Sequence, residues 1–257
     1  MWKRYVPLII VMIIVGVTMF LLYGLDSLRR EKYETAIVVG DNTSWIYKKK
    51  RWIKVSSANA FEDLNWKNFE VYENNERVGS YNLWHDDKWY VFDDKRNAIN
   101  IEGEMLAYRS NYDITMDEFS KEEITDNTYV NTVLTDHNLS NDNKFTTSYK
   151  TSVDIDHDGS LEEFYVISNV FPLNFQPEKI FSFVFMVKDE TIYYLYEDVA
   201  DYRVYAGCSP DIITFIDANA DNNDELIVSC FQYSNLGRVD MLYNFNGENF
   251  KILISNQ

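Results

Sequence analysis

Two acidic loops that superpose at an offset of 63 residues constrain this chain more than any other feature. The first runs Asp154-Ile-Asp156-His-Asp158-Gly-Ser160-Leu-Glu162 and the second Asp217-Ala-Asn219-Ala-Asp221-Asn-Asn223-Asp-Glu225. Side chains at positions 1, 3 and 5 alternate along an extended start and then wrap round one point as the chain turns. Gly159 at position 6 permits a left-handed turn, and Asn222 is the next best residue there. Ser160 and Asn223 at position 7 offer backbone carbonyls, and Glu162 and Glu225 at position 9 close the shell with carboxylates. An all-oxygen set of this kind suits Ca2+, whereas zinc favours nitrogen and sulfur. Carboxylates held this close repel one another without a cation. The expected affinity is that of extracellular calcium modules, on the order of 10⁻⁴–10⁻³ M.

An EF-hand does not fit. That loop needs a Glu at position 12 and helices on both sides, but position 12 is Tyr165 in one loop and Val228 in the other. The flanks, Thr151–Asp154 with Phe164–Ile167 and Ile212–Asp217 with Leu226–Cys230, are β-like, so each loop is expected to tip a hairpin. Further strands follow each loop: Ile180–Val187 and Thr191–Tyr196, then Val239–Tyr243 and Asn249–Ile254. Each unit thus has four strands in about 60 residues, the size of one stacking repeat.

These loops and strands resemble the calcium-loop repeats called FG-GAP or VCBS, found in integrin-α-type propellers and bacterial surface proteins. The first loop matches the pattern Asp-x-Asp-x-Asp-Gly-x-x-Glu; the second departs from it with Asn219 for Asp and Asn222 for Gly. The resemblance covers residues 148–257 and implies blade-like four-stranded units with calcium at the hairpin tips. Two units are too few to close a propeller, so an open sheet or sandwich is expected.

Upstream, Leu8 to Leu25 is a run of 18 residues without a charge, preceded by Lys3 and Arg4. At about 1.5 Å per residue it reaches about 27 Å, enough for an uncleaved transmembrane helix. The Leu-Asp-Ser-Leu-Arg-Arg-Glu that follows is a poor cleavage site. Residues 1–34 are therefore expected to anchor the chain, with the larger C-terminal part outside the cell. Residues 35–147 read as a Trp-rich β domain. Ser44–Tyr47 and Trp52–Val55 flank a basic turn, Phe69–Tyr72 and Arg77–Trp84 form a second hairpin, and Lys88–Phe92 is a further strand. A short helix is expected over Ala58–Leu64. Thr115-Met-Asp-Glu118 predicts a capping box before an acidic helix of about two turns, and residues 126–147 a connection. The expected fold is an all-β extracytoplasmic region, two blade-like repeats plus a separate β-rich N-terminal region, with one N-terminal transmembrane helix.

Charge narrows the partners. Residues 111–257 hold 8 basic and 26 acidic residues, a net of −18, against +1 for residues 1–110. Such a chain is a poor nucleic-acid binder, because that affinity comes from cations meeting phosphates. The Trp and Tyr residues suit either a β core or stacking on a carbohydrate, and a protein or carbohydrate partner is expected. His85, His137 and His157 occur in no metal or catalytic spacing, and no hydrolase or phosphate-loop motif is present. The acid pairs Asp86/Asp87 and Asp93/Asp94 leave a surface hydrolase as an alternative, and an accessory subunit of a membrane complex is another. Cys208 and Cys230 form a disulfide if outside the cell, or stay as two buried thiols. The expected role is a non-enzymatic, membrane-anchored calcium-binding interaction or structural module.

Overall fold

The computed structural model describes residues 33–114, 116–140, 144–170, 179–201, 207–232 and 237–256. The expected anchor at residues 8–25 lies outside them, and among the described residues no helix is long and apolar enough to cross a membrane. What they form is all-β, in antiparallel sheets.

The first sheet takes its strands from the Trp-rich region: β1 (Thr35–Val39), β2 (Thr43–Lys48), β3 (Arg51–Lys54), β4 (Lys67–Glu73), β5 (Glu76–His85), β6 (Trp89–Phe92), β7 (Ala98–Ile99) and β8 (Met105–Ser110), in the order β3-β2-β1-β8-β4-β5-β6-β7. Period-two alternation explains most of it. Phe69, Val71, Leu83, Trp89 and Val91 point inward between exposed or half-buried neighbours. β1 is different: all five of its residues are buried, so it reads as a continuous apolar run. The basic turn between β2 and β3 has Lys49 and Lys50 at φ 52° and 60°, the two left-handed positions that a two-residue hairpin of this twist requires. The short helix α1 (Ala58–Glu62) forms as the sequence suggests.

The acidic half follows. β9 (Met116–Asp117) precedes helix α2 (Thr128–Asp136), then β10 (Thr147–Val153), β11 (Glu162–Ser168), β12 (Lys179–Lys188) and β13 (Thr191–Asp201) make a four-stranded meander. The meander recurs as β14 (Cys208–Ile216), β15 (Glu225–Gln232), β16 (Gly237–Phe245) and β17 (Phe250–Ser255), with β9 added beside β14.

Three apolar clusters order the layers. Val153, Phe164, Val166, Val184 and Met186 of the second sheet meet Phe215, Leu226, Val228, Met241 and Tyr243 of the third. The other face of the second sheet, with Tyr165, Phe181, Phe183 and Phe185, is covered by Val130, Val133 and Leu134 of α2. The other face of the third sheet, with Ile213, Ile227 and Leu242, packs on Ile37, Val39, Trp45 and Leu106 of the first. Helix, sheet, sheet and sheet are thus stacked, and β12 is buried between its terminal lysines because both its faces are covered. Cys208 and Cys230 are joined as a disulfide across β14 and β15, with Cα atoms 5.5 Å apart.

Two expectations are corrected. The capping-box segment starts no helix: Met116 and Asp117 pair with Ile216 and Phe215, and Phe119 packs edge-on against Phe215. Sheet pairing and burial outweigh a local cap. The helix instead lies at Thr128–Asp136, inside the stretch read as a connection. Its polar composition hides a Val130-Val133-Leu134 stripe at helical spacing. Asp126 accepts hydrogen bonds from the Thr128 N–H and hydroxyl at its start.

Candidate functional site

Each acidic loop joins the first two strands of its meander, β10 to β11 and β14 to β15, and the two loops are built alike. In the first, Asp154 accepts the backbone N–H groups of Asp158 (2.9 Å) and Gly159 (2.8 Å). In the second, Asp217 accepts those of Asp221 and Asn222, both at 3.0 Å. Asp158 then accepts the Ser160 N–H, as Asp221 accepts that of Asn223. The closing glutamates reach back in the same way: Glu162 Oε2 accepts the Ile155 N–H and Glu225 Oε2 that of Ala218. Positions 4 and 6 are left-handed in both loops, His157 (φ 53°) with Gly159 (φ 91°) and Ala220 (φ 58°) with Asn222 (φ 67°). The turn at position 6 is legible in the sequence; the one at position 4 is not, since neither His nor Ala favours it.

In the first loop, Asp154, Asp156 and Glu162 each bring one carboxylate oxygen within 4.8 Å of the others. Asp156 Oδ1 is buried without a hydrogen-bond partner. An all-oxygen cradle with an orphaned oxygen fits a hard cation. A residue that the loop sequence does not reveal shares this centre. Lys188, at the end of β12, places its ammonium 2.7 Å from Asp156 Oδ2, 2.9 Å from Glu162 Oε1 and 3.0 Å from Asp158 Oδ2. Burial pulls that ammonium's pKa down, but the three carboxylates more than offset it, and the net direction is upward. The Glu162 carboxyl is raised because burial outweighs the lysine. Asp158, exposed, is held below the usual carboxylate range by Lys188 and the Ser160 N–H.

In the second loop the closing carboxylate is buried as well, and among the described residues no lysine is paired with it to offset the burial. Glu225 is fully buried, and burial, together with Asp221 and Asp217, pushes its carboxyl up to about 8. The Asn219 amide donates to it. Beside it opens a cleft of about 410 Å³, lined by Asn219, Asp221 and Glu225 on one side and by Tyr47, Lys50, Arg51 and Trp52 of the basic hairpin on the other. The basic turn of the first sheet thus borders the second acidic loop.

The remaining candidates have structural explanations. Asp93 accepts the N–H groups of Lys95 and Asn97 in its own turn, and Asp87 accepts the Tyr90 hydroxyl. His85 stacks on Phe61 at 3.7 Å, and His137 pairs with Glu197. His157, at position 4, points away from the first loop's carboxylates, with Nε2 3.4 Å from Asp224 Oδ1. No protein-family model, curated protein or solved structure matches the chain.

Proposed function

We propose that the chain is a membrane-anchored surface protein whose blade-like C-terminal repeats, of the FG-GAP/VCBS kind, bind calcium through the two acidic loops and serve as an interaction or structural module. The observation that carries this reading is the repetition, at two hairpin tips, of the same backbone hydrogen bonds to the side chains at positions 1, 5 and 9. Asp154, Asp156, Asp158, Ser160 and Glu162 would hold one ion, and Asp217, Asn219, Asp221, Asn223 and Glu225 the other. The ion would supply positive charge to clustered carboxylates and so fix the strands that carry them. Residues 8–25 would tether the module to the membrane, with the repeats facing the calcium-rich exterior and a protein or carbohydrate as partner. The disulfide between Cys208 and Cys230 suits that oxidising side. The enzymatic alternative has less support, because Asp87 and Asp93 are engaged in local turns.

The test is thermal unfolding of the full chain in detergent micelles, with EGTA and with millimolar calcium. Calcium should raise the melting temperature of the wild type, and replacing Asp217 and Glu225 by Asn and Gln should remove the second loop's share of the rise. A melting temperature indifferent to calcium rejects the reading.

A further inference from the structure

The two meanders share strand order and loop geometry but differ in the residue that stands opposite the closing glutamate. Glu225 of β15 lies opposite Asn244 of β16. In the first meander the matching position, one step beyond the Glu163–Val187 pair, sets Glu162 opposite Lys188. Where the closing glutamate of the second loop has an asparagine across the strand pair, that of the first has a lysine. The lysine's ammonium has three N–H donors, and each finds a carboxylate of a different residue, Asp156, Asp158 and Glu162, within 3.0 Å. Lys188 is mostly buried, with 17% of its side chain exposed, so its stem is packed rather than waving in solvent.

We propose that Lys188 is the resident cation of the first loop: its ammonium holds the wrapped carboxylates together in the absence of calcium and must be displaced before calcium binds there, leaving the second loop as the one whose order depends on calcium. The inference about the second loop rests on the calcium reading above; the inference about Lys188 does not. The charge arithmetic supports the division. Calcium entering the first cradle meets a positive charge already bound to three of its ligands and must displace it. Calcium entering the second finds Asn244, not an ammonium, across the strand pair from Glu225, although Lys50, Arg51 and Lys251 line the same cleft. One repeat is then permanently locked, and the other is set by the surroundings.

The experiment uses the full chain in micelles, as wild type, K188M and K188R, with melting in EGTA and calcium uptake by calorimetric titration. In EGTA, K188M should melt several degrees below the wild type while K188R stays close to it. Calcium should restore K188M more than it lifts the wild type. Its first-loop affinity should rise about tenfold or more, since calcium affinity follows the charge of the ligand set. Two outcomes overturn the proposal: K188M melting with the wild type in EGTA, or K188M binding calcium no more tightly than the wild type when both bind it. If K188M is destabilised in EGTA and no chain takes up calcium, the calcium reading fails and the role of Lys188 stands. Should K188M not fold, the cycle of K188Q, E162Q and K188Q/E162Q keeps the proposal falsifiable. Removing both charges should cost less than the sum of the single losses, and additive losses count against the proposal.

Discussion

The backbone N–H of Asp224, in the second acidic loop, donates to the carbonyl of Ile155 in the first at 2.9 Å. His157 of the first loop in turn approaches Asp224 at 3.4 Å. The two hairpin tips are therefore stitched to each other, and ordering one biases the other. Asp224 sits at this seam almost fully buried, with neither carboxylate oxygen hydrogen-bonded. Burial, and then the nearby Asp117, raises its pKa, which His157 only partly reverses. An acid raised in the folded state holds its proton there after the unfolded chain has released it. Its contribution to stability is thus lost as pH rises from about 4 through the folded value. D224N should unfold at a higher temperature than the wild type at pH 8 and near the same temperature at pH 4. A lower melting temperature for D224N at pH 8 would show that the carboxylate is needed charged.

Glu225 gives a second pH dependence with the same sign and a calcium signature. Its carboxyl, raised to about 8 by burial beside Asp221 and Asp217, must ionise in the fold as pH increases. In EGTA the melting temperature should fall between pH 5 and pH 8. In millimolar calcium the Glu225 part of that fall should vanish and the Asp224 part remain, because the ion favours the charged form of Glu225 and lowers its pKa. The check is a pair of pH–stability curves; parallel curves would sever Glu225 from the cation.

How much of this was legible in the sequence depends on what each feature needs. The hairpins of the Trp-rich region follow from alternation and turn residues, which are local. The loops follow from spacing, and their left-handed position 6 from Gly159 and Asn222. Lys188 was not legible as a loop residue, since only the pairing of β11 with β12 brings it to Glu162, 26 residues away. Helix α2 was hidden because Asn, Thr and Asp dominate its exposed face and only three buried residues carry its stripe. β9 was hidden by a capping signal that its pairing with Ile216 and Phe215 overrides.

The left-handed positions make opposite predictions for the two loops. Gly159 has open space where a Cβ would stand, so the cost of G159A is backbone strain at φ 91° and not a clash. That cost should be about 1 kcal/mol. Asn222 occupies the matching position at φ 67°. N222G should therefore be neutral or stabilising by a few tenths to about 1 kcal/mol, as the strain of a side chain in this region is relieved. Urea unfolding of both variants measures the two signs, and a loss in N222G equal to that in G159A would contradict the shared geometry.

The disulfide closes a segment with a sequence separation of 22 residues that contains the whole second loop. C208A/C230A should lose about 2–4 kcal/mol, mostly by freeing the unfolded chain. Because the bonded strands hold Asp217 and Glu225 at their far ends, the same variant should need more calcium for half-maximal stabilisation. Denaturant midpoints across a calcium series would register both effects.

The junction of the first and third sheets depends on one buried carboxylate. Asp240 of β16 accepts from Thr43 of β2 at 2.5 Å, from Ser229 of β15, from Arg238 Nε at 2.5 Å and from Asn256 at 3.1 Å. Arg238 continues to Glu104, beside the first sheet, and Asn256 donates also to Thr43. Every oxygen is satisfied, so the ion pair withstands burial; removing one partner leaves the rest unpaired. Burial raises the Glu104 carboxyl and Arg238 only partly reverses it, so deleting the guanidinium should raise it further. R238M should lose about 3–5 kcal/mol by stranding Asp240 and Glu104. R238M/D240N should recover part of that loss, because the most deeply buried charge is then gone. Guanidinium unfolding of the singles and the double gives the coupling directly. A coupling near zero would mean that the sheets are held by the Ile37, Trp45, Ile227 and Leu242 contacts alone.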